Sequence, residues 1–346
     1  MVNAQEPLPC GQPGAQADFD AAHPGAAAQR EADEQSARAS AQAVLERGAQ
    51  DSDLYIIPVV LHVIHDNGEE NISDAQIFDA MEILNADFRK LNADTGQIVA
   101  GFVDIAADID VEFRLAKRDP QGNCHSGINR LQDALTYEGN NEMKQLIHWP
   151  RDSYMNVYVA ASAAGAAGYT NYPSDWGANT DGIVLKHDYV GSIGTSNAYR
   201  SRTLTHECGH WLNLPHTWGS SNNPNEEDNC EVDDGVEDTP LCLGSPVGFC
   251  DPERTTCGSL DNVQNYMEYS YCSRMYTLGQ RARMRAALNN STADRDELWT
   301  PQNIENTGVL EEELLCRAEF TVLCFTRVVQ PGTFYLSVEQ SNTSTS

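Results

Sequence analysis

The chain lacks any run of about 18 apolar residues, so no transmembrane helix is predicted. No hydrophobic signal segment follows Met1 either, and we expect NAQEPLP to be the start of a chain after signal removal. Basic residues are scarce, because 22 Lys and Arg stand against 51 Asp and Glu and give a net charge of −29. Such a charge repels phosphates, which excludes nucleic acid and anionic membranes as expected partners.

The ten cysteines contain no Cys-x-x-Cys pair, a spacing typical of structural zinc sites. Five of them crowd between Cys230 and Cys272, in a region with many turn-forming residues. This distribution is typical of disulfide bonds in an oxidising compartment. The sequence therefore predicts a secreted, extracellular protein.

The stretch HECGHWLNLPH, from His206 to His216, has the spacing of a metal site. On a helix, His206 and His210 lie about 40° apart around the axis, so both imidazoles can reach one ion. His216 can supply a third nitrogen only if the chain leaves the helix before it. Asn213 tolerates the left-handed conformation that ends a helix, and Pro215 discourages helical continuation. These residues predict one zinc ion bound by the three histidines.

Three protein ligands leave a zinc position open for water, which is typical of a catalytic site rather than a structural one. Zinc lowers the pKa of its bound water to about 7, far below that of free water. Glu207 directly follows the first ligand and is placed to take the proton of that water and deliver it to a leaving amine. The pattern predicts hydrolysis. The alternatives are a chance arrangement on an ordinary helix and a metal site that has lost its chemistry.

The zinc motif resembles that of the metzincin metalloproteases, with Asn213 where most members carry Gly. Metzincins also have a tight methionine-containing turn under the metal, and NYMEYSY at 265–271 is similar to it. The resemblance makes Met267 the apolar floor of the zinc site. Tyr269 is a further mark of the pappalysin family, in which this residue stabilises the transition state. Other stretches between residues 51 and 290 also resemble pappalysin catalytic domains, among them IIPVVLHVIH, GINR, DGIVL, RTLTHE and DTP.

This resemblance implies an α/β (α+β) fold of the metzincin type, with a mixed, mostly parallel twisted sheet. It also implies an active-site helix that carries HExxH and a loop-rich C-terminal subdomain that contains the methionine turn. The expected domains are a pro-segment at 1–50, a catalytic domain at 51–300 with subdomains 51–213 and 214–300, and a β-rich extension or truncated module at 301–346.

Hydrophobic patterns place some elements directly. The apolar pattern predicts the first strand at Leu54–Ile64 and a later one at Asn156–Ala160. Ser73 is expected to cap an amphipathic helix that extends to Lys90. The segment at 164–173 is interpreted as an edge strand for an extended peptide or, equally, as a small-residue loop.

Cys10, followed by Gly11, resembles the cysteine switch that holds a thiolate on the zinc of some metzincin zymogens. The alternative is that Cys10 is half of a disulfide bond. If Cys10 binds zinc, nine cysteines remain, and Cys208 is the natural free thiol because it faces away from the metal on the helix. Activation then requires a cut near Arg47 or between Gly48 and Asp53.

The acidic stretch between the zinc motif and the methionine turn resembles the calcium loop of the family. In this resemblance Asp234, the carbonyl of Val236 and Thr239 bind calcium, with one or two ions in total. A merely solvated acidic loop is the alternative. The resemblance also pairs four cysteines in two disulfide bonds, Cys230 with Cys257 and Cys250 with Cys272.

Related members of the family prefer basic side chains after the scissile bond and use an Asp three residues beyond the tyrosine. Cys272 stands at that position here, which predicts a weaker preference for Arg and Lys. The sequence as a whole predicts a secreted zinc endopeptidase that acts on protein or peptide substrates and is made as a latent zymogen inhibited by its own pro-segment. Two other functions stay open, a zinc amidase or esterase for small substrates and a non-catalytic calcium-dependent binding protein.

Overall fold

A computed structural model describes residues 7–47, 53–221 and 223–311. Its centre is a six-stranded sheet in which only the edge pair β5 and β6 is antiparallel. The strands are β1 Tyr55–His65, β2 Val111–Leu115, β3 Ile128–Gln132, β4 Met155–Ala160, β5 Gly168–Tyr169 and β6 Ile183–Lys186. Their order is β2, β1, β4, β6, β5, and β3 pairs with the second half of β1. The expected mixed, mostly parallel sheet is confirmed.

Strand β1 is the longest strand and lies in the middle of the sheet. Its predicted bounds, Leu54–Ile64, differ from the observed ones by one residue at each end. Both faces of the strand are buried, since Ile57, Val59 and Leu61 pack in the main core and Ile64 in a second cluster. A strand covered on both faces needs a nearly continuous apolar sequence, as YIIPVVLHVIH provides.

Two helices cover one face of this sheet. Helix α3, Asp74–Phe88, begins after Ser73, whose hydroxyl accepts a hydrogen bond from the Gln76 amide at 3.2 Å. Helix α5, Thr203–Trp211, carries the zinc motif. The apolar sides of both helices join β1 in one core that includes Leu84, Phe88, Leu204, Cys208 and Trp211. None of the helices in the described ranges is long and apolar enough to cross a membrane.

After α5 the chain forms mostly loops. Its strands and α-helices there are β7 Thr255–Thr256, β8 Ser259–Leu260, α6 Leu278–Leu288 and α7 Pro301–Thr307, whereas the short helix α4, Asn141–Lys144, precedes α5. The two predicted disulfide bonds, Cys230–Cys257 and Cys250–Cys272, are present with Cα separations of 5.3 and 5.8 Å. Helix α7 packs back on the domain, since the Asn303 side chain donates to the Ser153 carbonyl at 3.0 Å. Most of the predicted C-terminal extension, 312–346, lies outside the described residues.

The N-terminal segment forms two helices, α1 Gln12–Ala22 and α2 Ala26–Arg47. They are separated at Pro24 and Gly25, where Gly25 has a φ of 104° that favours glycine. Before α1, the Gly11 amide donates to the Gly168 carbonyl of β5 at 2.8 Å, and the Ala167 amide donates to the Pro9 carbonyl at 3.0 Å. The segment therefore extends the edge of the sheet.

Helix α2 packs against helix α6 of the domain. The guanidinium of Arg283 donates two hydrogen bonds of 2.6 Å to the carboxylate of Glu34. Its Nε donates to the Asn213 carbonyl at 2.5 Å, so one buried arginine joins the N-terminal helix to the turn after α5. This N-terminal segment, residues 7–47, is called the N-terminal arm below.

Candidate active site

Helix α5 places His206 and His210 on one side, and the chain turns sharply after them. Asn213 has a φ of 72°, in the left-handed region, and the Leu214 amide donates to the Gly209 carbonyl at 2.8 Å. The turn ends the helix and carries the chain back toward the metal motif. His216 consequently faces the other two imidazoles.

The Nε2 atoms of the three imidazoles converge on one point. His210 Nε2 lies 3.1 Å from His206 Nε2 and 3.2 Å from His216 Nε2. The Nδ1 atom of His206 lies 2.7 Å from the Tyr266 carbonyl, and that of His210 lies 2.6 Å from the Leu214 carbonyl. A carbonyl oxygen can only accept, so in each neutral ring Nδ1 carries the proton and Nε2 keeps a lone pair.

These imidazoles fit zinc. A tetrahedral ion with Zn–N distances of about 2.0 to 2.1 Å holds its nitrogens roughly 3.3 Å apart. Burial lowers the pKa of His206 to about 4 and that of His210 well below its ordinary value, so the rings are neutral. Neutral rings whose lone pairs face one another satisfy those lone pairs with a cation rather than with each other.

Glu207 is fully buried beside this cluster. No N–H or O–H group of the described residues donates a hydrogen bond to either of its carboxylate oxygens. Burial raises the pKa of Glu207 to about 8, against a smaller lowering by the neighbouring Cys10 thiol. A buried carboxylate without an N–H or O–H donor is costly in a purely structural role, and it is available for proton transfer.

A tight turn at 265–268 lies below the histidines. The Glu268 amide donates to the Asn265 carbonyl at 3.2 Å, and the Asn265 side chain accepts from the Met267 amide at 2.9 Å. Met267 is completely buried against the helix. A Cβ on Gly209 would lie 2.3 Å from the Met267 sulfur, so only glycine permits this close approach.

Tyr269 and Cys10 complete the surroundings of the histidines. Ring centroids of Tyr269 lie 5.8 Å from His206 and 5.0 Å from His216. The Tyr269 hydroxyl donates to the Cys10 carbonyl at 3.4 Å. Cys10 is a buried free thiol, and its sulfur and the three imidazoles have ligand atoms within 4.8 Å of one another. Within the described ranges this is the only such group of metal-binding side chains.

The three residues of the predicted calcium loop also lie together. The Thr239 hydroxyl is 2.8 Å from each carboxylate oxygen of Asp234 and 2.8 Å from the Val236 carbonyl. Asp234 is buried, and burial raises its pKa to about 7. The loop therefore holds a carboxylate whose charge is poorly compensated by the groups around it.

Sequence reasoning missed two residues that shape the site. Trp218 stacks on His216, with ring centroids 4.3 Å apart and an interplanar angle of 2°. Gly168 lets the edge strand lie close to both β6 and the active-site helix, because a Cβ there would lie 2.8 Å from Leu185 Cδ2 and 3.2 Å from Glu207 Cγ. An aromatic residue two positions after a ligand was a visible signal for Trp218. No local sequence signal indicated the role of Gly168, because Glu207, its neighbour on α5, is distant in sequence.

Comparison with known proteins places this geometry in a family. Residues 138–289 match the Peptidase_M43 family model, described as pregnancy-associated plasma protein-A. An extracellular metalloprotease of Verticillium alfalfae is 27% identical over 260 residues, which cover 70% of this chain and 81% of that protein. An extracellular metalloprotease of Neurospora crassa is 34% identical over 154 residues, which cover 40% of this chain and 50% of that protein.

Solved structures from Tannerella forsythia share the fold. Mature mirolysin in complex with a cleaved peptide matches with a TM-score of 0.64 and 33% identity, over 74% of this chain and 98% of that one. A promirolysin mutant matches with a TM-score of 0.70 and 29% identity, over 87% of this chain and 99% of that one. The zinc motif, the mostly parallel sheet and these matches lead to one conclusion: the chain belongs to the pappalysin family of zinc metallopeptidases.

Proposed function

We propose that this chain is the latent form of a secreted zinc endopeptidase that cleaves protein or peptide substrates. The observation that carries the proposal is the convergence of three imidazole Nε2 atoms beside the buried carboxylate of Glu207. The names of the related extracellular metalloproteases support secretion, as does the pair of disulfide bonds.

In this proposal His206, His210 and His216 hold the zinc ion. When bound, zinc polarises the scissile carbonyl and makes water acidic enough to react at neutral pH. Glu207 takes the proton of the attacking water and delivers it to the leaving amine. Burial keeps the Tyr269 hydroxyl protonated by raising its pKa, so it can donate to the oxygen of the scissile carbonyl as negative charge develops there.

Casein cleavage tests the proposal. We expect the full-length chain, incubated with calcium, to lose about 5 kDa from its N-terminus, roughly the first 47 residues at about 110 Da each, and to begin cutting casein. Phenanthroline, which removes the metal, should stop both events. A small-molecule amidase would leave casein intact but hydrolyse amide or ester reporters. A binding protein would cut neither.

We further propose that the N-terminal arm is the pro-segment and that Cys10 supplies a fourth zinc ligand. Its sulfur lies with the three histidines, and its backbone neighbours pair with the edge strand β5. A thiolate in that position excludes water from the metal. The greater coverage by promirolysin than by mature mirolysin supports the assignment.

Replacing Cys10 by alanine should therefore remove latency. We expect the variant to cut casein without the lag that precedes cleavage by the wild type, because water can then reach the metal. Cys242→Ala is the matched control, since Cys242 is also a buried free thiol but lies outside the histidine group. After substitution with cobalt, the wild type and the control should show thiolate-to-metal charge-transfer absorption, and Cys10→Ala should lack it. An unchanged lag in Cys10→Ala would contradict the switch.

A calcium ion at Asp234, the Val236 carbonyl and Thr239 is the last part of the proposal. The three oxygen groups lie together, and calcium prefers carboxylate and carbonyl oxygens. An ion there would compensate the buried charge of Asp234. The loop connects the zinc motif to the methionine turn, so an ion that fixes the loop would also stabilise the positions of both segments.

Calcium should therefore raise the melting temperature. With calcium at about 100 times its Kd, the expected stabilisation is about 2.7 kcal/mol, or roughly 5 °C for a domain of this size. Asp234→Asn should lose this gain, because it removes the buried carboxylate. Glu237→Gln removes the same charge from an exposed side chain of the same loop and should keep the gain. Equal melting temperatures of the wild type in calcium and in EDTA would show that the loop binds no ion.

A further inference from the structure

A pocket opens beside His206 and Glu207, next to the sheet edge that the N-terminal arm occupies. Its wall combines polar groups with an aromatic and apolar part, to which Tyr189, Val247 and Tyr271 belong. Glu207 lines it on the side of the metal-binding cluster. In the proposed reaction Glu207 delivers a proton to the leaving amine, so this pocket receives the side chain of the residue that carries that amine.

The protein's own N-terminal arm borders this pocket. Leu8, two residues before Cys10, is part of the pocket lining. Its amide donates to the Tyr189 hydroxyl at 2.8 Å, which fixes the backbone at the pocket mouth. Hydrogen bonds of Pro9 and Gly11 to the edge strand hold the following residues. The arm thus places an aliphatic residue, Leu8, at this pocket.

The charges beside Arg200 disfavour a basic side chain. Arg200 lines the pocket and pairs with Asp188, but Lys186 pairs with the same carboxylate. Two cations therefore share one anion. Arg202 also lines the pocket, and its guanidinium is paired with Asp94 and lies 3.2 Å from Asp87.

Carboxylates in the described pocket lining are not free to bind a substrate cation. The lining contains two, Glu207 and Glu268. Glu207 has the proposed role in proton transfer. Glu268 is buried and accepts hydrogen bonds from the Thr217 hydroxyl at 2.5 Å and from the Ser245 amide at 2.7 Å. Moving Glu268 toward a substrate would break both bonds.

We propose that this pocket selects a large apolar side chain, such as leucine, after the scissile bond and discriminates against arginine and lysine. The inference rests on the proposed function and names the substrate class of that site. Apolar substrate groups gain contact with the tyrosine and valine side chains. A basic group would be desolvated beside Arg200 without a carboxylate to pair with.

Matched peptides test the selection. The full-length chain is allowed to activate, and kcat/KM is measured for fluorogenic peptides that differ only in leucine, arginine or glutamate after the scissile bond. We expect the leucine peptide to exceed the arginine peptide by about tenfold or more. A higher value for arginine than for leucine would overturn the inference, and so would a higher value for glutamate, which would make the pocket an acid-binding one.

Variants of Arg200 test whether its positive charge causes the discrimination against the arginine peptide. Arg200→Gln should narrow the ratio of the leucine to the arginine peptide several-fold, whereas Arg200→Lys, which keeps the charge, should retain it. Each ratio is taken within one preparation, so it does not depend on the fraction of folded enzyme. An unchanged ratio in Arg200→Gln would overturn the role of the positive charge.

Casein fragments separate failure of the inference from failure of the proposed function. Mass spectrometry of the fragments gives the residue that follows each cut. Leucine and other large apolar residues at these new N-termini support the inference. Casein cut before lysine or arginine overturns it but leaves the peptidase intact. Casein left whole by the activated, zinc-loaded chain overturns the proposed function and the inference with it.

Discussion

Replacing Glu207 by glutamine should lower the rate of casein cleavage by about 10² to 10⁴. Glutamine has the same size but cannot take a proton from water, and Glu207 has no hydrogen-bond donor among the N–H and O–H groups of the described residues that the change would leave unpaired. The variant should also keep its N-terminal arm, because it cannot cut itself. Zinc content and melting temperature should remain near those of the wild type.

Measuring the zinc content of the variant separates a role of Glu207 in proton transfer from a role in holding the metal site together. If Glu207→Gln lost zinc together with activity, the carboxylate would be needed to maintain the structure of the metal site, and a role in proton transfer would not be supported. If it cut casein at the wild-type rate, a different group would be the base. Glu207→Asp offers an intermediate case, because its carboxylate remains but is about one bond further from the metal-binding cluster.

Replacing Tyr269 by phenylalanine has the second largest expected effect. Loss of one donor to the developing oxyanion usually costs about 10² to 10³ in kcat. The ring should stay packed between His216 and Trp218, since the change removes only the hydroxyl. We expect KM to change much less than kcat, because the donor acts mainly in the transition state.

Tyr276→Phe is the control for a merely structural hydroxyl. Tyr276 is also buried, and its hydroxyl donates to the Thr205 carbonyl in α5 at 2.6 Å. Its loss should reduce the free energy of unfolding by about 1 kcal/mol and leave kcat of the folded enzyme within a few-fold. If both variants lost activity in proportion to stability, Tyr269 would have no part in the chemistry.

Local spacing was enough to predict the metal motif and several elements. The turn at Asn213 and the cap at Ser73 depend on neighbours within a few residues, so their physical causes are visible in the sequence. The long apolar run of β1 gave its bounds to within one residue. Resemblance added the disulfide pairs, which spacing alone could not choose among the possible connectivities.

Contacts between distant segments could not be predicted. Glu34 and Arg283 are 249 residues apart, and nothing in either local sequence indicates the other. The saturation of Glu268 by Thr217 and Ser245 depends in the same way on how three loops meet. The β-rich extension or truncated module predicted at 301–346 falls largely in 312–346, outside the described residues, and stays a prediction.

The contact between α2 and α6 would delay activity after the arm has been cut. A cut near Arg47 opens the backbone but leaves the two bonds between Glu34 and Arg283 intact. If the arm is the pro-segment, as we propose, the severed arm would be a separate inhibitor that binds with its own dissociation constant. Activity would rise on dilution as the arm leaves, and in a concentrated sample it would lag behind the cut. Cleavage would make activation possible, and dissociation of the cleaved arm would then produce the active enzyme.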